Sequence, residues 1–172
     1  LRSLIEDPFI VGGTGAAYMD SEYQPCTYKK IIDNGTLTTY LHNFQSSLKM
    51  NEPMTGNGVR GYSSAASIGT TNLIVENTKV SQDDLIASID QGILVTSLIG
   101  HGFNMITGDF SRGAEGFWIE NGKISHPIKE FTLAGNMKQI LLDICGIAND
   151  RLTDHSTSSP SMMIRQMTIS GK

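Results

Sequence analysis

The sequence predicts an α+β fold: a mainly antiparallel sheet with barrel-like or sandwich-like closure, built from hairpins, with two or three helices. Two Asn-Gly pairs, Asn34-Gly35 and Asn121-Gly122, each stand between β-prone runs. This is a strong hairpin signal, because both central residues of a type I′ turn need positive φ. The chain has 18 glycines but only 5 prolines, which favours tight turns between short strands. Because strands and helices do not alternate regularly, a parallel sheet is not expected.

The first half of the chain predicts one hairpin, a short helix and a long loop. Residues 27–32 and 37–41 flank Asn34-Gly35 and are predicted as the hairpin strands. A short helix is expected over residues 43–50. Residues 51–72 are polar and rich in Gly, Ser and Thr, so they are expected to form an exposed loop leading to a strand at 73–76.

The second half contains the clearest helix signal. Ser81 is a good N-cap, and Asp83 and Asp84 fall in the first turn, where the helix dipole favours negative charge. Gly92 is interpreted as the stop signal of this helix. The remaining predicted elements are a buried strand over 93–99, a strand over 103–107, hairpin strands over 116–120 and 123–128, a helix over 136–145 and a closing strand over 161–169.

Composition excludes two broad classes of partner. The net charge is −4 and the isoelectric point about 5.5, whereas nucleic-acid binding normally needs a basic face. No apolar run approaches the roughly 20 residues that span a bilayer. The chain begins with Leu1-Arg2 rather than Met, so we interpret it as a piece of a longer protein.

The two cysteines are not spaced as metal ligands. Cys26 and Cys145 are far apart, so each is expected to be a buried free thiol, with Cys145 on the apolar side of the 136–145 helix. The four histidines show no i, i+4 spacing, and a complete zinc site within this chain is therefore not expected. Asp154-His155-Ser156 is interpreted as a polar loop, because adjacent residues seldom meet in triad geometry.

The stretch from Gly100 to Trp118 concentrates glycine and polar side chains. In the structural interpretation, Asp109 and Ser111 cap backbone groups, and Arg112 pairs with Asp109 or Glu115. In the functional interpretation, the stretch is the floor of a groove where Arg112 holds a peptide carboxylate. Chemistry alone favours the structural one. The candidate peptide-binding or structural residues are His101, Asn104, Asp109, Ser111, Arg112 and Glu115.

With these residues in view, the chain resembles the TldD/PmbA family, described as candidate modulators of DNA gyrase, and within it the TldE/PmbA branch. The longest matching signature runs from Thr107 to Ala114 and continues over residues 116–122. Other segments match in the same order along the chain. They are Glu6-Asp7-Pro8, Asp20-Ser21-Glu22, Asp33-Asn34-Gly35, Ala134 to Met137 and Gly146 to Asp150.

The resemblance implies a cytoplasmic protein that acts on peptides together with a partner. Residues 1–172 would be a single C-terminal domain, with the N-terminal and central regions lying upstream. The family trims leaders from modified peptide precursors and degrades small, poorly folded proteins. A TldD-like subunit would carry the metal, expected to be zinc, on a His-Glu-x-x-x-His helix and a late Cys. Here Thr157 to Ser161 stand where that Cys is expected, so this chain is expected to be non-catalytic and to hold no metal.

Three functional hypotheses stay open from the sequence. The first is the non-catalytic subunit, joined to a TldD-like partner or self-associating through the same surface, and binding peptide by strand addition. The second is that the chain is itself a metal-dependent peptidase with a site near His101, Asp109 and Glu115. The third is a protein-binding modulator of DNA gyrase that touches no nucleic acid. The first and third hypotheses describe a non-catalytic protein, and the second describes an enzyme.

Overall fold

The computed structural model describes residues 3–171 and divides them into two compact units. Unit 1 comprises residues 3–77 and 151–160, and unit 2 comprises residues 78–150 and 161–171. Both units combine mainly antiparallel sheets with short helices, which confirms the α+β prediction. No sheet in the described part of the chain closes on itself, so the barrel alternative is not adopted.

Unit 1 is organised around a five-stranded sheet. Its strands and its one helix are β1 (Ser3–Glu6), β2 (Lys29–Asp33), β3 (Thr36–Leu37), α1 (Phe44–Met50), β4 (Gly58–Val59), β5 (Ser67–Ile68), β6 (Leu73–Val75) and β11 (Thr157–Ser158). The strand order is β11-β6-β1-β2-β3, and every pair except β11 with β6 is antiparallel. A separate two-stranded ladder joins β4 to β5.

Unit 2 is organised around a four-stranded antiparallel sheet. Its elements are α2 (Gln82–Ala87), β7 (Gln91–Ile99), β8 (Asp109–Glu120), β9 (Lys123–Asn136), α3 (Met137–Leu142), β10 (Ile144–Ile147), β12 (Met162–Ile164) and β13 (Thr168–Ser170). The strand order is β13-β9-β8-β7, and β10 pairs with β12. Ala114, Phe131 and Leu133 form the buried centre of this unit.

Both predicted Asn-Gly hairpins are confirmed. Asn34 and Gly35 have φ of 48° and 82°, and Asn121 and Gly122 have φ of 50° and 74°. The first turn joins β2 to β3, and the second joins β8 to β9. Since Asn and Gly tolerate the left-handed region better than other residues, local chemistry alone fixes these two turns.

The helix starts were predicted better than the helix ends. α1 lies within the predicted 43–50 segment, and α2 begins after the Ser81 N-cap, whose side chain accepts a hydrogen bond from Asp84 N. However, α2 ends at Ala87, and Gly92 lies inside β7 rather than ending the helix. The pairing of β7 with β8 begins at Gln91, so sheet formation stops the helix earlier than the glycine signal suggested.

Four other sequence predictions are wrong in detail. Residues 105–107 form a turn rather than a strand. The helix α3 ends at Leu142, so Cys145 lies in β10 and is exposed, not packed on a helix. The predicted closing strand is split into β12 and β13, and the predicted loop over residues 51–72 contains β4 and β5. Cys26 is buried and free, as predicted.

A buried ion pair lies at the centre of unit 1. Glu6, at the end of β1, is 0% exposed, and its carboxylate lies 2.8 Å from Lys29 Nζ. The amide Nδ2 of Asn57 donates to both carboxylate oxygens, at 2.8 and 3.0 Å. Thr71 donates through its backbone N–H at 2.7 Å and its hydroxyl at 3.1 Å. The carboxylate is thus fully hydrogen-bonded, as a buried charge requires.

None of the helices within residues 3–171 is both long and apolar enough to cross a membrane.

Candidate functional site

The predicted site residues lie on one hairpin of unit 2. β7 and β8 pair antiparallel from Gln91↔Glu120 to Ile99↔Gly113. Residues 100–108 connect them, and an isolated bridge between Phe103 and Phe110 continues the pairing beyond the end of β7. β8 is much longer than predicted because its first half pairs with β9 as far as Asn136.

Asn104 organises the connection between the two strands. Its side-chain oxygen accepts from the backbone N–H groups of Ile106 and Thr107, at 2.9 and 3.2 Å. Its own backbone N–H donates to the carbonyl of Asp109, and its carbonyl accepts from Gly108 N. This is the Asx-type turn typical of asparagine. The predicted structural role of this stretch therefore applies to Asn104.

Asp109 fixes the turn to the neighbouring strand. Thr107 Oγ1 donates to one carboxylate oxygen at 2.7 Å, and Asn136 Nδ2 donates to the other at 3.3 Å. These two hydrogen bonds, that of Thr107 first, lower the pKa of Asp109 below its usual range. Asn136 also donates to the Thr107 carbonyl and accepts from Lys138 N at the start of α3. The turn, β9 and α3 are therefore joined through Asn136.

Arg112 does not form the ion pair predicted with Asp109 or Glu115. Side chains alternate along β8, so Arg112 projects from the face that carries Ala114, whereas Asp109 projects from the opposite face. The guanidinium instead donates through Nη2 to the Leu98 carbonyl at 3.3 Å. Its Nε is buried and has no hydrogen-bond partner among residues 3–171.

The other candidates are not brought together. His101 and Ser111 are exposed, and Ser111 N donates to the Gly102 carbonyl at 2.6 Å. Asp109 and Glu115 are six positions apart on one strand, which is about 20 Å. In the part of the chain that the structure describes, no group of three or more His, Cys, Asp or Glu side chains is placed to hold a metal ion. The hypothesised set of His101, Asp109 and Glu115 is therefore not such a group.

Sequence reasoning missed an apolar surface on the same hairpin. Met105 and Ile106, at the tip of the turn, are 85% and 96% exposed. Val95, Leu98 and Ile99 on β7 are also exposed, so the prediction of a buried strand over 93–99 is wrong for these positions. From Gln91 to Gly108 the sequence contains no Asp, Glu, Lys or Arg. That uncharged run of 18 positions was the available signal.

Comparison with known proteins identifies the family. A family model for the PmbA/TldA metallopeptidase C-terminal domain matches residues 2–171. The chain belongs to the PmbA/TldD family. The resemblance drawn from the sequence motifs is thereby confirmed.

Relatives named PmbA are more similar than one named TldD. The Metalloprotease PmbA homolog of Buchnera aphidicola from Acyrthosiphon pisum is 36% identical over 166 residues, which covers 96% of this chain and 35% of the relative. The TldD homolog of the same organism is 29% identical over 187 residues, covering 99% of this chain and 39% of the relative. The chain thus spans about a third of the length of these curated relatives.

Solved structures share the fold. TldE from Thermococcus kodakarensis superposes with a TM-score of 0.89 at 27% identity, covering 98% of this chain and 39% of that one. A Thermotoga maritima protein described as a candidate modulator of a DNA gyrase gives a TM-score of 0.90 at 32% identity, with the same two coverages. The relatives' names attach a metallopeptidase function to the family, although the described residues group no metal ligands.

Proposed function

We propose that this chain is the C-terminal domain of a TldE/PmbA-type subunit that holds extended peptides while a TldD-type partner cleaves them. In this proposal the partner supplies the zinc, and the pair works in the cytoplasm on peptide leaders and small unfolded proteins. The uncovered edge of β7 is the observation that carries the proposal. The names of the PmbA, TldD and TldE relatives support the pairing of two such subunits.

The β7 edge is suited to strand addition. Within residues 3–171, β7 pairs on one side only, with β8. Soluble proteins usually protect such an edge with charged residues or proline, because unpaired N–H and C=O groups template another strand. β7 has neither, over nine residues. An extended peptide can therefore pair with its backbone and rest side chains on Leu98 and Ile99.

The Arg112 guanidinium lies beside this edge and is suited to contact a polar group of the peptide. Its side chain reaches β7 at the Leu98 carbonyl and keeps a buried Nε–H that no described residue accepts. A buried donor without a partner costs about 1–3 kcal/mol. A peptide carboxylate placed against this half-buried side chain would form a charge-assisted hydrogen bond with the guanidinium.

If this protein binds the peptide and the TldD-type partner cleaves it, cleavage needs both subunits. The full-length protein containing this chain, mixed with a TldD-type partner, should cleave an unstructured peptide, whereas each protein alone should cleave at background rate. Peptide products are measured by mass spectrometry over time. Full activity of the protein that contains this chain, in the absence of the partner, would refute the non-catalytic role.

The edge itself is tested by a matched pair of lysine variants. Ile99 and Ile124 are both 50% exposed, but only Ile99 lies on β7. Ile99→Lys should lower the peptide affinity of the assembled enzyme about tenfold, which is about 1.4 kcal/mol, because a charge blocks pairing at an edge. Ile124→Lys should leave the affinity unchanged. Equal losses in both variants would exclude β7 as the docking edge.

Arg112→Lys is expected to weaken peptide affinity about tenfold or more, since hydrogen bonds to charged groups contribute about 1.5–3 kcal/mol and lysine cannot form the planar fork. Fluorescence anisotropy with a carboxylate-bearing peptide and its amidated form measures the effect. The exposed Arg60 gives the matched control, Arg60→Lys. If Arg112→Lys binds both peptides like the unmodified protein, the arginine only fastens β8 to β7.

A further inference from the structure

A recess in unit 2 lies where β9 passes into α3. The cavity has a volume of about 350 Å³, within the size range of small-ligand sites, roughly 300–1,000 Å³. It is lined by the end of β9, the exposed turns of α3 and the segment that enters β13. The lining residues are Ala134, Gly135, Asn136, Gln139, Ile140, Asp143, Gln166, Met167 and Thr168.

Asp143 is the only charged residue of this lining. It is 8% exposed, so it is among the buried polar residues of the chain. One carboxylate oxygen accepts a hydrogen bond of 2.9 Å from Gln139 Nε2. None of the ion pairs that the described residues form involves Asp143. A buried carboxylate is costly unless it is paired with a cation.

The position of Asp143 along the chain adds to this cost. Asp143 is the C-cap residue of α3, and the last turn of that helix contains no basic side chain. The carbonyl groups at a helix C-terminus carry partial negative charge, which favours cations there and disfavours a carboxylate. The carboxylate therefore gives the recess a negative potential, and the lining itself holds no Lys, Arg or His. Lys138 and Arg165 are next in sequence to lining residues but are not part of the lining, and Arg165 contacts Asp143 through its backbone N–H, which donates to the Asp143 carbonyl.

We propose that this recess binds the basic side chain, lysine or arginine, of a polypeptide. The proposal does not depend on peptide cleavage or on the β7 edge. The aliphatic part of such a side chain would lie against Ile140 and Met167, and its cationic end would reach Asp143. The carbonyl oxygens of the lining carboxamides and the Thr168 hydroxyl provide further acceptors for its N–H groups.

Binding is measured with blocked amino acids on the full-length protein that contains this chain. The probes are N-acetyl-lysine methylamide, N-acetyl-arginine methylamide and the neutral isostere N-acetyl-norleucine methylamide. Titration calorimetry gives the affinity, and the methyl NMR signals of Ile140 and Met167 report the location. Both basic probes should bind at least tenfold more tightly than the norleucine probe and shift both methyl signals.

A charge-neutral variant tests the role of the carboxylate. Asp143→Asn keeps the shape and should reduce the affinity for the lysine probe at least tenfold. The matched control is Asp90→Asn, which removes one negative charge at an exposed position of the same unit and should leave the affinity unchanged. Unchanged binding in Asp143→Asn would overturn the proposal.

A second variant narrows the recess without removing any charge. A Cβ added at Gly135 would lie 3.4 Å from Ile140 Cδ1 and 4.0 Å from Met167 Cε, which are ordinary contacts. Gly135→Ala should therefore fold normally and bind the lysine probe several-fold more weakly, even if Asp143→Asn does not fold. Tighter binding of cadaverine than of the lysine probe would instead indicate a site for free diamines, and equal binding of the norleucine probe would indicate a merely apolar recess. Either result would overturn the proposal.

Discussion

Replacing Glu6 by glutamine is expected to destabilise unit 1 by about 3–5 kcal/mol, the usual cost of breaking a buried ion pair by removing one partner. Lys29, whose side chain is only 12% exposed, would keep its charge without a counter-ion. The NH2 group of the new glutamine would also lie against other hydrogen-bond donors, because Asn57 Nδ2 and the Thr71 N–H both donate to the carboxylate of Glu6. Glutamine can accept only through one oxygen.

A surface ion pair in the same sheet provides the matched control. Lys30 and Asp33 are 2.9 Å apart, but their side chains are 40% and 36% exposed. Asp33→Asn should cost less than about 1 kcal/mol, because solvent screens exposed pairs. Urea unfolding followed by circular dichroism measures both variants. Similar shifts of the unfolding midpoint for the two variants would contradict the assigned role of the buried pair.

The same pair predicts how stability depends on pH. Burial acts to raise the pKa of Glu6, but the hydrogen bonds from Lys29, Thr71 and Asn57 outweigh it, so the pKa lies below its usual value. A carboxyl with a lowered pKa in the folded state stabilises above its unfolded pKa, about 4.3 for Glu. That stabilisation is lost as the pH falls through the folded pKa. The difference in unfolding free energy between the unmodified protein and Glu6→Gln should therefore shrink below about pH 4.3.

The elements predicted correctly from the sequence are those that neighbouring residues determine. Asn34-Gly35 and Asn121-Gly122 adopt positive φ for local steric reasons. Ser81 caps α2 through hydrogen bonds with Asp84, which is only three positions further along the chain. The missed elements depend on distant partners. β1 pairs with β2 and β6, and β11 pairs with β6 across more than 80 positions, so no local pattern could indicate them.

The candidate site was predicted in composition but not in geometry. Asn104 caps backbone groups in the turn, whereas Asp109, predicted to cap backbone groups, instead accepts hydrogen bonds from the side chains of Thr107 and Asn136. The ion pair assigned to Arg112 failed because β8 was predicted to begin near residue 116 instead of at Asp109. Once Asp109 and Arg112 belong to one strand, their odd spacing places them on opposite faces. The recess at Asp143 was missed because it forms only where α3, β9 and the β13 segment meet.

Gly116→Ala is expected to destabilise unit 2 by about 1–3 kcal/mol, the usual cost of overpacking a tight site. Gly116 is buried in β8, opposite Val95 of β7. A Cβ at this position would collide with the backbone carbonyl oxygen of Leu94 and lie 3.1 Å from Val95 Cα. Because these atoms belong to the backbone of the adjacent strand, relief requires β7 itself to move.

Gly113 in the same strand is the matched control. Its added Cβ would lie 3.5 Å from Ile99 Cβ, an ordinary contact, so Gly113→Ala should change the unfolding free energy by less than about 0.5 kcal/mol. Thermal unfolding of both variants measures the difference, and equal melting temperatures would show that the close approach is not limiting. Register shifts flank Gly116 on both sides, next to β7 and next to β9. The absence of a side chain at Gly116 therefore determines where the β7 backbone lies. For this reason, the folded fraction of Gly116→Ala should also bind peptide more weakly than the folded fraction of Gly113→Ala.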